Sequence, residues 1–275
     1  MTLSLDSAYR LNNGVDMPVF GLGVWQAKSG GETRDAVLHA LELGYRHIDT
    51  AKAYGNEADV GAAVRSSGVP RASIFVTTKL WNSDHGYDQA LTAFDRSLAA
   101  LDIEYVDLFL IHWPVEGLRH ESWRALERIL SEGRCRAVGV SNYTVRHLEE
   151  LMGRAEVIPA VNQVEFHPFL YQRELLGFCH GKNIRITAYS PLARGRGFND
   201  KTLKAVAKKH GKTPAQIMIR WALEHETVVI PKSVHPERLR ENAEVFNFAL
   251  DADDMARLDA MEKAHRVAWD PTTIP

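Results

Sequence analysis

The chain has only two cysteines, Cys135 and Cys179, in 275 residues. That leaves no basis for a disulfide framework and suits a reducing compartment. Cys135 begins a strand-like run and Cys179 lies in a helical one, so both read as small buried apolar residues. Long hydrophobic runs are missing too: none approaches the ~20 residues that span a bilayer. The opening MTLSLDSAYR has no basic stretch followed by an apolar core, so no secretory signal is expected. Nor is there an excess of positive charge. Lys and Arg number 33 against 35 Asp and Glu, a net charge of −2, which sets up no bulk field for nucleic acid or an acidic membrane. No linker or low-complexity tract divides the chain. One cytoplasmic domain over residues 1–275 is expected, monomeric, with a small molecule as its partner and neither nucleic acid, membrane nor metal.

Hydrophobic residues make up 45% of the chain and charged residues 25%, an ordinary globular balance. Strand-like runs fall at 20–23, 47–49, 74–78, 106–111, 137–140, 160–164, 184–188 and 228–230. Amphipathic runs lie between them, among them 32–43, 89–101, 119–130 and 145–152. In the second of these, Leu91, Phe94, Leu98 and Leu101 recur three or four apart, on one face of a helix. Eight strands alternating with helices predict an α/β fold, a (β/α)8 TIM barrel. A doubly wound open sheet is the competing arrangement, usually with fewer strands and a Gly-rich first turn, and periodicity alone permits both. Two segments depart from the repeat. YRLNNGVDMPVFG carries Asn12-Asn13-Gly14 between short apolar pieces, which predicts an N-terminal β-hairpin able to plug a barrel's bottom. Residues 251–261 read as an extra C-terminal helix, and the tail RVAWDPTTIP as irregular.

Asp49, Tyr54, Lys79 and His112 each stand at or just past the end of an apolar run, in YRHIDTAKAY, SIFVTTK and YVDLFLIH. In a parallel barrel the carboxyl ends of the strands carry the chemistry. Tyr54 is a candidate acid whose phenol has an ordinary pKa near ~10. An ammonium ~4 Å away would favour the phenolate by about 4 kcal/mol at an effective dielectric of ~20, and Lys79 is the obvious cation. Asp49 would pair with Lys79, keep it charged and weaken its pull on Tyr54, while His112 orients a substrate oxygen. The set suits protonation of an oxygen becoming an alkoxide, as in carbonyl reduction, with the hydride left to a cofactor. The same residues admit two other readings: a structural Asp–Lys salt bridge, and a Schiff-base lyase using Lys79 as nucleophile. Asp49 argues against the lyase, because a paired lysine stays protonated. Trp25, Trp81 and Trp113 follow strand ends and suggest an apolar substrate pocket, whereas Trp123 and Trp221 lie in helices and read as core.

Gly21-Leu22-Gly23 continues to Gln26 where a dinucleotide fingerprint needs its third glycine, so a Rossmann site is rejected. A better phosphate site follows the run Val228-Val229-Ile230. Pro231-Lys232-Ser233-Val234 is the loop after it, Pro236 opens a helix, and Arg238 falls in its first turn. Two cations exceed the need of a diphosphate and would suit an additional phosphate such as the 2′-phosphate of NADP. The competing reading is a solvated basic helix start. Ser141, Asn142, Gln163, Tyr189 and Ser190 bring uncharged hydrogen-bonding groups to other strand ends, matching a carboxamide or ribose. Tyr189 offers a ring to stack on a nicotinamide. Asn142 also reads as a helix cap for the run from 145.

Taken in order, LNNGVDMPVFGLGVW, GYRHIDTAKAYGNE, DLFLIHWP, VGVSNY, VNQVEFHP, AYSPL and IPKSVHPERLRENAEVF resemble the aldo-keto reductase family over essentially the whole chain. Compact length and the IPKSVHPERL segment are most similar to its bacterial branch that includes 2,5-diketo-D-gluconate reductases. The resemblance implies an eight-stranded barrel, NADPH as cofactor and Tyr54 as proton donor, with Asp49, Lys79 and His112 in the roles above. It puts Ser141, Asn142 and Gln163 at the carboxamide and Tyr189 against the nicotinamide. Lys232, Ser233 and Arg238 go to the 2′-phosphate, Glu241 and Asn242 to the adenine end, and Ser190, Leu192 and Val234 complete the cofactor set. The loop WPVEGLRHESW and the tail are short, which implies an open site for small aldehydes, ketones, dicarbonyls such as methylglyoxal, or keto sugars. A module that binds NADPH but turns over slowly is the remaining alternative.

Overall fold

The computed structural model describes residues 3–275. Eight parallel strands follow one another in chain order: β3 (Leu22–Gly23), β4 (His47–Asp49), β5 (Phe75–Leu80), β6 (Val106–Ile111), β7 (Cys135–Ser141), β8 (Val161–Glu165), β9 (Arg185–Tyr189) and β10 (Val228–Val229). The ends of this sheet meet. Gly21 N–H donates to the Val229 carbonyl at 2.9 Å, Val229 N–H donates to that of Val19 at 3.0 Å, and Phe20 bridges Val229 in parallel. The sheet is therefore a closed barrel, and the open alternative is excluded. The run expected as a strand over 20–23 divides its bonds: only Leu22–Gly23 pairs with β4, while residues 19–21 close the barrel on β10.

The predicted hairpin forms from β1 (Ala8–Arg10) and β2 (Asp16–Pro18), paired antiparallel. Gly14 turns it at φ 84°, a backbone region that glycine enters without steric cost. Asn12 and Asn13 then donate to the Pro159 and Arg136 carbonyls, tying the turn to the barrel's lower rim. Leu11 and Met17 from the hairpin pack with Phe75, Leu108, Ala137 and Val161, which makes the hairpin the floor of the barrel interior.

Inside the barrel, parallel register sets Asp49 beside Thr77, Lys79 beside Leu110, Ser141 beside Gln163 and Glu165 beside Tyr189. Apolar side chains thus fill the lower layers and polar ones gather at the carboxyl ends. The Gly21-Leu22-Gly23 run serves packing. A Cβ on Gly21 would lie 2.7 Å from the His47 ring. His47 is fully buried, with Nε2 3.0 Å from Thr77 Oγ1.

Ten α-helices surround or follow the strands among the described residues: α1 (Gly31–Glu42), α2 (Glu57–Ser66), α3 (Tyr87–Leu101), α4 (Arg119–Ser131), α5 (Val145–Met152), α6 (Arg173–Gly181), α7 (Lys201–His210), α8 (Pro214–Glu224), α9 (Pro236–Ala243) and α10 (Ala252–Asp259). Local chemistry sets several starts. Thr144 and Thr213 each close a capping box, with His147 and Gln216. On α3 the periodic face buries Phe94, whose ring is 4.8 Å from that of Phe109 on β6. Trp123 and Trp221 are core residues, as expected. Both cysteines are free and buried, and burial pushes both thiols up to about 12. No helix among the described residues is long and apolar enough to cross a membrane.

Candidate active site

The four strand-end residues converge. Lys79 Nζ donates to Asp49 Oδ1 at 2.6 Å, to the Thr50 carbonyl at 2.9 Å and to Tyr54 Oη at 3.3 Å. Gln163 holds the other oxygen of Asp49, donating from Nε2 at 2.7 Å. Tyr54 stands at the end of a short 3-10 turn, Lys52–Tyr54, after β4, and Gly55 at φ 69° then releases the chain into α2. The Tyr54 ring meets His112 edge-on, with centroids 5.7 Å apart.

Electrostatics depart from expectation at Tyr54. The expected lowering of its pKa by Lys79 is reversed: burial, and then the Asp49 charge, raise the phenol well above its ordinary value. Asp49 engages the same ammonium more closely than Tyr54 does, and a phenolate loses solvation here. Burial also lowers Lys79, with Asp49 opposing the shift. Burial, and then Lys79, hold His112 well below the ordinary imidazole range, so its ring is neutral at physiological pH. The cluster can therefore present a protonated phenol and a neutral imidazole to one space.

That space is a cavity of about 620 Å³ lined by Asp49, Tyr54, His112 and the three expected tryptophans. Ser141, Asn142, Gln163, Tyr189, Ser190 and Lys232 line it as well. Their polar groups are linked. Ser141 Oγ donates to the Gln163 carbonyl at 2.8 Å, Asn142 Nδ2 to the His112 carbonyl at 3.0 Å, and Tyr189 Oη to Asn142 Oδ1 at 2.8 Å. Asn142, at φ 63°, is not the cap of α5; Thr144 is. A tight turn between β7 and α5 leaves Asn142 facing inward, where its amide bridges two strand ends.

Lys79 is fully buried and meets the cavity only through its partners. Leu192, Ser233, Val234, Arg238, Glu241 and Asn242 do not line it. Ser233 Oγ instead accepts from His235 N–H at 3.1 Å, and Glu241 accepts from Thr213 Oγ1 at 2.6 Å. Arg238 is exposed in the first turn of α9 and Asn242 is buried on the same helix.

Several lining residues were not expected from sequence. Arg194 lies over the Trp25 ring, 4.6 Å from its centroid, across the mouth. It belongs to a loop after β9 in which Ser190, Ala193 and Arg194 all have positive φ, a concentration of backbone strain typical of functional loops. Trp269 stands 5.6 Å from Trp113 and 6.5 Å from Trp81, between ring centroids. A tail without periodicity gave no signal for it.

A closed parallel barrel with a polar cluster at the carboxyl ends of its strands defines an enzyme of the TIM-barrel class. The chain belongs to the Aldo/keto reductase family, whose sequence model matches residues 19–263, and is an oxidoreductase. It is 47% identical over 274 residues to glyoxal reductase of Bacillus subtilis (strain 168), covering 100% of this chain and 99% of the relative. The crystal structure of an aldo-keto reductase from a Medee basin deep-sea metagenome library superposes with a TM-score of 0.95 at 44% identity, covering 98% of this chain and 100% of that one. A mutant of Gox0644 in complex with NADPH superposes with a TM-score of 0.92 at 43% identity, covering 97% and 98%.

Proposed function

We propose that the protein reduces small aldehydes, ketones and dicarbonyls to alcohols with NADPH, Tyr54 supplying the proton. The reading rests on one observation above all: Lys79 Nζ bonds both Asp49 and Tyr54 while burial keeps the phenol protonated. Tyr54 then holds a proton at Oη, facing the cavity, for an oxygen that gains negative charge. His112 offers a neutral imidazole beside it to orient that oxygen. Lys79 acts behind them, its ammonium steadying the phenolate that Tyr54 becomes after the proton leaves, while Asp49 keeps Lys79 charged and fixes its direction. Similarity to a glyoxal reductase supports a small dicarbonyl as substrate.

NADPH supplies the hydride when bound. The residues fit an anionic dinucleotide: Lys232 and Arg238 are exposed, have no ion pair among the described residues, and flank the start of α9. Ser233 and Val234 lie on the loop between them. Glu241 and Asn242 follow on α9, and Ser190 and Leu192 on the loop after β9. Ser141, Asn142 and Gln163 offer a linked polar wall for a carboxamide, and Tyr189 a ring for the nicotinamide. We further read the protein as a single-domain cytoplasmic monomer. The Schiff-base alternative loses support because Nζ of Lys79 is fully buried and engaged by three oxygens.

The test is NADPH oxidation with methylglyoxal and with an aromatic aldehyde, comparing native protein and Tyr54→Phe. A positioned acid contributes ~10²–10⁴-fold, so turnover is expected to fall by that order for both substrates. Full activity in the variant sinks the assignment.

A further inference from the structure

Glu165 ends β8 two residues beyond Gln163, and nothing in the chemistry above uses it. Its carboxylate is 1% exposed. Oε1 accepts from Val267 N–H at 2.7 Å and lies 2.9 Å from His167 Nε2, and Oε2 accepts from Ala268 N–H at 3.0 Å. Burial works to raise this carboxyl, but His167 and the two amides outweigh it and hold it below the usual range, so it stays ionised. Hydrogen bonds to a charged acceptor are the stronger kind.

All three residues from Val267 to Trp269 line the cavity. The Trp269 ring is 67% exposed, so packing alone does not fix it; the backbone just before it does. The far end of the tail is also held. Arg119 donates to the Pro275 carbonyl at 2.7 Å and His147 Nε2 to that of Ile274 at 3.0 Å. Between these two anchors Trp269 crosses the mouth against Trp81 and Trp113. Because β8 also carries Gln163, which holds Asp49, one strand sets both the polar cluster and the outer wall.

We propose that Glu165, braced by His167, is a positioning residue for the carbonyl substrate: it latches the tail so that Trp269 selects among substrates by the size of the group attached to the carbonyl. The inference rests on the carbonyl-reductase reading. Trp269 makes the contact and Glu165 acts through it.

Glu165→Gln keeps the shape of the side chain but replaces one acceptor oxygen by a donor. In steady-state assays with NADPH, the ratio of kcat/KM for phenylglyoxal to that for methylglyoxal should fall about tenfold, the scale of one lost charge-assisted hydrogen bond. The change should appear in KM for phenylglyoxal. Trp269→Ala should shift the ratio alike, and the double variant should match Trp269→Ala alone, because the two residues act as one unit. Trypsin cleavage after Arg266 should quicken about tenfold in Glu165→Gln, a readout independent of turnover. Additive effects in the double variant, an unchanged ratio, or unchanged cleavage overturn the proposal. If native protein reduces neither dicarbonyl, the reductase reading fails, and cleavage still reports on the latch. Should Glu165→Gln fail to fold, Ala268→Pro deletes one donor from the tail side, with the same outcomes expected and the same ones overturning.

Discussion

Lys79 serves three oxygens at once, and the competition among them decides the state of Tyr54. A lysine beside a phenol suggests a lowered phenol pKa, which holds only when the lysine is otherwise free. Here Asp49 lies at 2.6 Å from Nζ and Tyr54 at 3.3 Å, and the site is buried. The raised phenol and lowered imidazole have a kinetic consequence. Below its raised pKa Tyr54 keeps its proton, and above its lowered pKa His112 stays neutral. Reduction should therefore show no ionisation of either group between about pH 6 and 9, whereas alcohol oxidation, for which the proposed mechanism makes the Tyr54 phenolate the base, should rise with alkalinity. A pH–rate profile of kcat/KM in both directions checks this; a reduction midpoint near ~7 would mean that His112 titrates. Asp49, Tyr54, Lys79 and His112 were legible because each breaks an apolar run at the end where barrel chemistry occurs. The sign of the Tyr54 shift was not, because it depends on distances between residues 25 and 30 apart in the chain.

At the scale of elements, strands and helices followed from patterning, and their ends from identifiable caps such as Thr213 with Pro214. The hairpin's role follows from its place under the barrel. Met17 is fully buried among interior residues, and truncating a buried Met to Ala costs about 2–5 kcal/mol. Urea unfolding of Met17→Ala should show a loss of that order; a loss below ~0.5 kcal/mol, the size of an ordinary surface substitution, would mean that the hairpin does not plug the barrel. The loop after β9 was legible only as a loop. Its Ala193 and Arg194 carry positive φ without being glycine, a conformation that surrounding contacts impose and composition does not signal. Glu165 shows the same limit: it stands at a strand end like Gln163, but its partners are the amides of Val267 and Ala268, about a hundred residues away.

For the whole molecule, the buried histidines tie stability to pH. Burial, and then Lys79, lower His47 to about 3, and burial lowers His85 to about 4. The unfolded chain takes up a proton at each near ~6.5, and the folded chain does not until those lower values. Stability is thus fully present above ~6.5 and is lost as pH falls toward the folded pKa. Between pH 7 and 5 His47 alone should remove about 2 kcal/mol, read as a lower urea midpoint, and His47→Gln should abolish that share; an equal pH dependence in the variant would show that His47 is not the group responsible. From sequence alone came eight strands alternating with helices, the hairpin and extra helix, the strand-end cluster and the basic segment after the last strand, because periodicity, turn residues and abrupt ends of apolar runs are local properties. Only the tertiary structure decided that the sheet closes, that Tyr54 holds its proton, and that Trp269 returns from the tail to the mouth of the cavity. Each of those depends on distance and desolvation between segments far apart in the chain, which no local pattern encodes.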